Sequence, residues 1–437
     1  MNENPTGSVE LQIDKLVTGG RGLGRHDGEA VFVPLTAPGD RVRVNLLKRH
    51  RGYRDGELLD VIEPGAGRRE APCPHYGDCG GCDLQHLDDQ TQDQARRAIL
   101  LDCFTRLGRL DVADRLEATA PGPVTGYRNK LRLSQHPGGH YGLKRRGSGD
   151  VVPLEQCLVM GEPFHEHILP WLRFLPPVEQ IVVRLDGRGG WLLSLYGPSQ
   201  RAKLLKSILA ETPEGETPAP GLQGVLLNNR PLWGHSYLVM EVAGHRYRVS
   251  HNSFFQGNLA AAEQVLATVR AWLDDDPDAT AGGDLADLFG GVGLFALGLA
   301  DRFQRVLSVD SDQSSVQDAR ENVRRDPVAQ GRVTIRDGLV QAALNDPEMP
   351  GLLDWPRACV LVDPPRTGLG KRVIASLGEL GPRTIFYVSC DPATLARDCA
   401  ALGEAGYEVA RLRLLPMFPQ TAHLETLVQL RRTPTEP

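Results

Sequence analysis

Two side chains in the C-terminal part of the sequence, Cys390 and Glu425, could do covalent chemistry together. Cys390 directly follows the apolar run TIFYVS, a predicted buried strand, and precedes Asp391-Pro392, where a helix can begin. Glu425 lies in the strand-like run HLETLVQL, where a charged residue needs a reason. A thiolate is a nucleophile and a carboxylate can act as a general base. Taken alone, Cys390 is better explained as a buried structural cysteine, whereas its combination with Glu425 favours catalysis.

A thiolate and a base together suit one reaction, methylation of carbon 5 of a pyrimidine. Carbon 5 of uracil is a poor nucleophile, but addition of a thiolate to carbon 6 turns it into an enolate carbon that can attack a sulfonium methyl group. A base then removes the carbon-5 proton so that the thiolate can leave. Free cysteine has a pKa of about 8.5, so we expect the surroundings of Cys390 to lower its pKa, helped by N–H groups at the start of the following helix.

Such a reaction needs a methyl donor, and a glycine-rich turn at residues 287–293 could bind one. The turn, DLFGGVG, ends a predicted strand, and glycines there let the backbone approach a ligand. The next strand ends in Asp310, whose carboxylate could accept hydrogen bonds from ribose hydroxyls. The turn alone also fits a dinucleotide, and Asp310 also fits a helix N-cap. Arg366 stands where methyltransferases of exocyclic amines carry an aromatic residue, which disfavours amino-nitrogen methylation.

A second cysteine group has the spacing of metal ligands. Cys73, Cys79 and Cys82 follow the pattern C-x5-C-x2-C, and Cys157 lies 75 residues beyond Cys82. A cytosolic chain rarely uses disulfides, so metal binding competes with plain burial. Four thiolates suit either tetrahedral zinc or an iron–sulfur cluster, and spacing alone does not separate the two. Unligated cysteines in a loop are the remaining alternative.

The elements that position these residues are predicted to form three domains. Residues 8–64 show short alternating runs between glycine-rich turns, typical of a small OB-like β-barrel that binds RNA. Residues 65–250 predict a central α+β domain that contains the cysteine loop. They include a helix near 86–110, which we expect to pack on the catalytic domain. From 251 to 437 strands and helices alternate, which predicts a Rossmann-like, doubly wound α/β domain.

Two basic stretches could contact a nucleic acid. Residues 41–54 and 126–147 contain no acidic residue, and the second stretch carries Tyr127 and Tyr141 as possible stacking surfaces. The first stretch is equally explained as a solvated pair of strands. The net charge of the 437 residues is -6, so any nucleic-acid site must come from such local patches.

The sequence contains no apolar run long enough to cross a membrane, and its N-terminus lacks the basic start and apolar core of a secretory signal. We therefore expect a cytoplasmic protein with no membrane partner. As a separate prediction, we expect a monomer.

These motifs together resemble the RNA uridine-5 methyltransferase family that acts on bacterial 23S ribosomal RNA and transfer RNA. The resemblance covers nearly the whole chain. It includes an N-terminal β domain similar to the TRAM domain, the Cys73 to Cys82 group, and the runs HNSFFQGN at 251–258, DLFGGVG, VDPPRTGL at 362–369, VSCDPATLARD and MFPQTAHLE at 417–425.

The resemblance implies a role for each candidate residue. Cys390 becomes the nucleophile and Glu425 the base. The residues that contact S-adenosylmethionine become Gln256, Phe289, Asp310, Asp337 and Asp363. The ligands of a [4Fe-4S] cluster become Cys73, Cys79, Cys82 and Cys157, with zinc as the alternative. The cysteine group points to 23S ribosomal RNA as the substrate.

Two alternatives remain open, a transfer RNA substrate and a non-catalytic RNA-binding or ribosome-assembly factor. Two positions depart from the family pattern. Gly290 stands where the family usually has cysteine, and Leu294 where it often has asparagine, which removes one side-chain contact to the cofactor.

Overall fold

The computed structural model describes residues 8–119, 121–210, 217–276 and 283–433. The chain forms two compact units. The first comprises Met1–Asp102, Gly142–Leu154 and Phe418–His423, and the second comprises Cys103–Tyr141, Glu155–Met417 and Leu424–Pro437. In the described ranges, no helix has the length and apolar character needed to span a bilayer. The predicted division into three domains at residues 64 and 250 stays a prediction.

The first unit begins with a closed five-stranded β-barrel, which confirms the predicted β-barrel at this end of the chain. Its strands are β1 (Ser8–Val17), β2 (Arg21–His26), β3 (Glu29–Val33), β4 (Arg41–His50) and β5 (Tyr53–Glu63), joined in the order β1-β2-β3-β5-β4. Alternate residues point inward, as in any strand with one solvated face. The barrel core consists of Leu11, Ile13, Val31, Val33, Val42 and Val44.

The cysteine loop and helix α1 (Asp89–Cys103) follow the barrel. Asp88 accepts a hydrogen bond of 2.7 Å from the backbone N–H of Thr91, which satisfies one of the unpaired donors at the start of the helix. The predicted helix near 86–110 is therefore shorter at both ends. It continues as a π-helical turn, Phe104–Gly108, that packs on the helix after Cys390. The first unit also contains most of the β7 (Tyr141–Lys144) and β8 (Val151–Pro153) hairpin.

The second unit contains an antiparallel-rich sheet whose strands lie in the order β12-β11-β10-β9-β6. These strands are β6 (Lys130–Gln135), β9 (Gln180–Leu185), β10 (Trp191–Tyr196), β11 (Leu222–Leu227) and β12 (Arg230–Gly234). The helices α2 (Leu169–Trp171) and α3 (Arg201–Ala210) lie between them in sequence. A separate hairpin, β13 (Tyr237–Val242) and β14 (His245–Ser250), leads into the 251–258 loop.

The C-terminal part of the second unit is a seven-stranded sheet of order β17-β16-β15-β18-β19-β21-β20. Its strands are β15 (Asp284–Leu288), β16 (Arg305–Asp310), β17 (Val333–Asp337), β18 (Cys359–Val362), β19 (Thr384–Ser389), β20 (Tyr407–Leu415) and β21 (Glu425–Arg432). The first five in this order are parallel, and β21 runs antiparallel between β19 and β20. This architecture confirms the predicted doubly wound α/β domain.

Helices alternate with the strands of this sheet. Because helices cover both faces of a parallel sheet, its strands are continuous apolar runs in the sequence. The helices are α4 (Leu259–Asp274), α5 (Leu294–Gly298), α6 (Gln313–Arg325), α7 (Val340–Leu344), α8 (Met349–Leu352), α9 (Lys371–Leu380) and α10 (Pro392–Glu404). Strand order reverses between β15 and β18, and ligands of open α/β sheets bind at such a switch point, beyond the carboxyl ends of the strands.

Candidate active site

Five of the predicted site residues lie along one edge of the seven-stranded sheet. Asp310 ends β16 and Asp337 ends β17. Phe289 directly follows β15, Asp363 follows β18, and Cys390 follows β19. Because these strands are parallel, their carboxyl ends meet at the same edge. The fold therefore brings together residues that are up to about one hundred positions apart in sequence.

The antiparallel strand β21 brings Glu425 to the same edge. In the β19–β21 ladder Ser389 lies opposite Thr426, so Cys390 and Glu425 are the next residues beyond that pair. Glu425 is buried, with 4% of its surface exposed, and Cys390 is half-buried. The charge of Glu425 acts on the Cys390 thiol, which shows that the two groups are close.

The expected lowering of the Cys390 pKa is wrong. Burial raises the pKa of this thiol, and the neighbouring Glu425 and Asp363 carboxylates raise it further. Arg366 opposes them, through its charge and through a hydrogen bond to the thiol. The N–H groups at the start of α10 stabilise the Cys390 thiolate less than expected, because Asp391 already accepts hydrogen bonds from those of the second and third helical residues. Arg366 is therefore the group that favours the thiolate.

The pKa of Glu425 is raised, as is that of Cys390. Burial raises its pKa well above the ordinary value, the Asp363 carboxylate raises it further, and Arg366 lowers it. A general base works best when its pKa lies near the operating pH, so burial makes this carboxylate a better proton acceptor than an exposed glutamate.

The glycine-rich turn places the backbone N–H group of Gly291 beside Asp310. The Gly291 N–H donates to one carboxylate oxygen of Asp310 at 2.9 Å, and the Asp312 N–H donates to the other at 2.8 Å. The cap of helix α6 is Asp312, which accepts from the Ser315 N–H, so the N-cap interpretation of Asp310 is wrong. Gly293 adopts φ +89°, a left-handed conformation that favours glycine.

The departure at Gly290 lies where the turn packs closely on its neighbours. A Cβ atom at this position would lie 2.2 Å from the Ser308 hydroxyl and 2.8 Å from the Asp287 carboxylate. Beneath the turn, Asp287 is fully buried, accepts from the Ala296 N–H at 3.0 Å, and leaves its other oxygen without a partner among the described residues. Burial raises the pKa of Asp287 to about 7. The second departure, Leu294, is 5% exposed and packs in the core.

The 251–258 loop positions Gln256 over the sheet edge. The side-chain amide of Gln256 donates to Asp363 at 2.9 Å, while the backbone carbonyl of Gln256 accepts from the side-chain amide of Asn129 at 2.8 Å. Burial is the main reason why the pKa of Asp363 is raised to about 7, and the Gln256 hydrogen bond limits this rise. At the start of the loop, buried Asp318 accepts from Ser250 and Ser253, which fixes the backbone.

Phe254 is an exposed aromatic residue near Gln256 that sequence reasoning did not single out. It lies in the 251–258 loop two positions before Gln256, and 63% of its surface is exposed. An exposed aromatic face can stack on a base. The signal in the sequence was the Phe-Phe pair of HNSFFQGN, of which only Phe255 is buried. Asp337, at the other end of the site, accepts from the Gln313 amide at 2.7 Å.

The cysteine loop carries three thiols in the first unit. The charge of Cys73 acts on Cys79, and the Gly81 N–H donates to the Cys79 sulfur at 3.4 Å. Cys157, in the second unit, is buried, and its N–H donates to His165 at 2.9 Å. Across the described ranges, no three His, Cys, Asp or Glu side chains form a group able to hold a metal ion. The four-ligand assignment stays a prediction.

The two basic stretches differ from expectation. In the barrel, four of the six cations pair with carboxylates of neighbouring strands. They are Arg41 with Glu63, Arg43 with Glu10 and Asp60, and Arg49 and Arg54 with Glu29. Most of this stretch is thus a neutralised strand surface. In the second stretch Tyr127 and Tyr141 are 7% and 6% exposed, so the predicted stacking surfaces are wrong.

The doubly wound sheet, with one antiparallel strand between β19 and β20 and a glycine turn facing an acidic strand end, defines a methyltransferase of the S-adenosylmethionine-dependent class. A family model described as tRNA (Uracil-5-)-methyltransferase matches residues 235–433. The chain is 31% identical over 432 residues to the 23S rRNA (uracil(1939)-C(5))-methyltransferase RlmD of Aeromonas salmonicida, covering 96% of this chain and 95% of that one. The chain belongs to the RNA (uracil-C5) methyltransferase family and is an enzyme.

Two further comparisons agree. An uncharacterized RNA methyltransferase of Thermosynechococcus vestitus is 33% identical over 97% of this chain and 98% of its own. The crystal structure of the Pyrococcus abyssi tRNA (uracil-54, C5)-methyltransferase with S-adenosyl-L-homocysteine superposes with a TM-score of 0.71 at 23% identity, over 97% of this chain and 100% of that one. The fold is therefore shared over the whole length. These findings set aside the non-catalytic alternative.

Proposed function

We propose that this enzyme methylates carbon 5 of a uridine in 23S ribosomal RNA, with Cys390 as the nucleophile and Glu425 as the base. One observation carries the proposal. Cys390 and Glu425 directly follow and precede the paired residues Ser389 and Thr426 at the sheet edge that also bears the glycine turn.

The proposed reaction uses each group once. The Cys390 thiolate adds to carbon 6 of the uracil, and the electron pair moves to carbon 5 and the carbonyl. S-adenosylmethionine, when bound, supplies the electrophilic methyl group that carbon 5 takes. Glu425 then removes the carbon-5 proton, the double bond re-forms, and the sulfur–carbon bond breaks to release the thiolate. The target base must leave its stack, since both faces of this bond have to be reached.

The same edge would hold the methyl donor. Asp310 would accept hydrogen bonds from ribose hydroxyls. Asp363, which accepts from Gln256, follows β18, the strand between those that precede the glycine turn and Cys390. We assign Phe289 and Asp337 to the same cofactor site from their places at the strand ends.

Trapping of the covalent intermediate tests the mechanism. Glu425→Gln should leave RNA attached to the protein, because elimination requires loss of the carbon-5 proton, whereas Cys390→Ala should neither attach RNA nor transfer methyl groups. Glu404→Gln is a control, since Glu404 is an exposed glutamate in the same unit. Denaturing gels with labelled RNA report the adduct. Normal turnover by Glu425→Gln contradicts the assignment of the base.

The choice of 23S ribosomal RNA is supported by full-length similarity to RlmD, while transfer RNA is the second candidate because of the family model's description. Mapping 5-methyluridine in both RNAs, with and without the gene, separates the two. A loss of 5-methyluridine confined to transfer RNA overturns the first choice. Cytoplasmic location and a monomeric state stay predictions.

We also propose that Cys73, Cys79, Cys82 and Cys157 hold a [4Fe-4S] cluster, with zinc as the alternative. The thiol donor set and the N–H directed at the Cys79 sulfur support thiolate ligation. The role would be structural, because methyl transfer needs no electron. Iron and zinc analysis of the purified protein identifies the metal, and a Cys79→Ser protein with unchanged metal content contradicts the ligand assignment.

A further inference from the structure

The loop between β18 and α9 is hydrogen-bonded to helix α10 through one buried carboxylate, that of Asp398. Asp398 is 1% exposed. One of its oxygens accepts from the backbone N–H of Leu369 at 2.7 Å and from the hydroxyl of Tyr387 at 2.9 Å. Three elements, the loop, β19 and α10, therefore converge on a single side chain that ligands cannot reach.

Arg397, the residue before Asp398, also joins the loop to α10. The guanidinium of Arg397 donates to the Thr367 carbonyl at 2.8 Å and to the other Asp398 oxygen at 2.8 Å. Between these contacts Gly368 adopts φ +79°, and a Cβ atom there would lie 2.2 Å from the Asp398 carboxylate. The loop backbone thus passes in close contact with Asp398.

This loop carries Arg366, the group whose positive charge and hydrogen bond favour the Cys390 thiolate. Cys390 itself lies just before α10, two residues from its first residue, Pro392. Asp398 lies in the same helix, within two turns of its start. Helix α10 therefore begins just after the nucleophile, Cys390, and its residue Asp398 also binds the loop that carries Arg366.

We propose that Asp398 is a positioning residue that holds the Arg366 guanidinium against the Cys390 sulfur and so sets the reactivity of the nucleophile. The inference rests on the proposed role of Cys390. Asp398 itself contacts neither RNA nor methyl donor, because it is buried.

The rate at which iodoacetamide alkylates Cys390, measured against pH, tests the proposal in the full-length enzyme without RNA. Mass spectrometry follows the tryptic peptide 384–397, in which Cys390 is the single cysteine. Asp398→Asn should move the profile to higher pH and slow alkylation at neutral pH by about three- to tenfold, since thiolate is the reactive form. Tyr387→Phe, which removes one hydroxyl, should shift it less in the same direction and keeps the test available if Asp398→Asn fails to fold.

A double substitution separates positioning from general loosening. In an Arg366→Gln background, Asp398→Asn should add no further shift, because the cation it positions is gone. Asp284→Asn is the matched control. Asp284 is also 1% exposed and accepts from the Asp354 N–H at 2.8 Å and from Arg305, but it begins β15, at the opposite end of the strands.

Identical profiles for Asp398→Asn and the wild type, or an equal shift in Asp284→Asn, overturn the proposal. A failure of the proposed function appears separately, as methyl transfer that survives Cys390→Ala.

Discussion

The side-chain amide of Gln256 donates a hydrogen bond of 2.9 Å to the carboxylate of Asp363. It joins the 251–258 loop to the end of β18, and it favours the ionised form of a carboxyl group that burial drives toward protonation. Gln256→Ala should therefore weaken binding of S-adenosylmethionine by about tenfold, the effect of one hydrogen bond to a charged group.

Calorimetric titration of S-adenosylmethionine measures this loss. Gln264→Ala serves as a control, because Gln264 donates to the Pro121 carbonyl on exposed surface. Equal affinity in Gln256→Ala and the wild type would remove Gln256 from the cofactor site.

Methyl transfer should accelerate with rising pH through the neutral range. Burial and the Glu425 charge raise the pKa of Cys390, so the thiolate fraction grows about tenfold per pH unit below that pKa. The pKa of Glu425 is also raised, so ionisation of the base adds to the increase rather than opposing it. Single-turnover rates at saturating RNA and methyl donor measure the profile. A rate that is flat from mildly acidic to mildly basic pH contradicts the raised pKa of Cys390.

Asp287→Asn should stabilise the protein at basic pH and have little effect at acidic pH. The folded-state pKa of Asp287, about 7, lies above its unfolded value of about 4. The stability that this carboxyl group contributes is therefore complete below about pH 4 and is lost progressively as the pH rises to about 7. Asparagine remains neutral and keeps an acceptor for the Ala296 N–H. The gain above pH 7 is of the order of a few kcal/mol. Urea unfolding of both proteins at about pH 4 and about pH 8 measures it, and a gain that does not depend on pH contradicts the assigned pKa.

Phe254→Ala should raise the KM for RNA several-fold and leave binding of S-adenosylmethionine unchanged, because an exposed ring that stacks on a base contributes about 1–3 kcal/mol. Phe174→Ala is the matched control, since Phe174 is 75% exposed and lies outside the site. Equal KM values for the two variants exclude a stacking role of Phe254.

Gly290→Ala should destabilise the protein by about 1–3 kcal/mol through the clash with Ser308. Adding Ser308→Ala removes the hydroxyl at 2.2 Å and should recover part of the loss, although Asp287 remains at 2.8 Å. Thermal unfolding of the single and double variants measures the coupling. Additive losses would show that the glycine is not retained because of Ser308.

The local pattern of apolar and polar residues was enough to predict the main architecture of this protein. Alternating apolar residues predicted the barrel, and the regular succession of strands and helices predicted the doubly wound sheet, because both depend on periodicities of two and 3.6 residues that are visible in sequence. The placement of Asp310, Asp363 and Cys390 at one edge follows from the same logic, since each ends or directly follows a parallel strand. The methyltransferase class also followed from the motifs.

Other features of the site depend on neighbours that are remote in sequence. The basic stretch of the barrel is neutralised by carboxylates of strands beside it, and Tyr127 and Tyr141 are buried by elements that no local pattern specifies. The pKa of Cys390 rises because burial and Glu425 outweigh Arg366, although its position before a helix predicted the reverse. Periodicity specifies which face of an element is buried, whereas charge balance and exposure are set by the groups that the fold brings to that face.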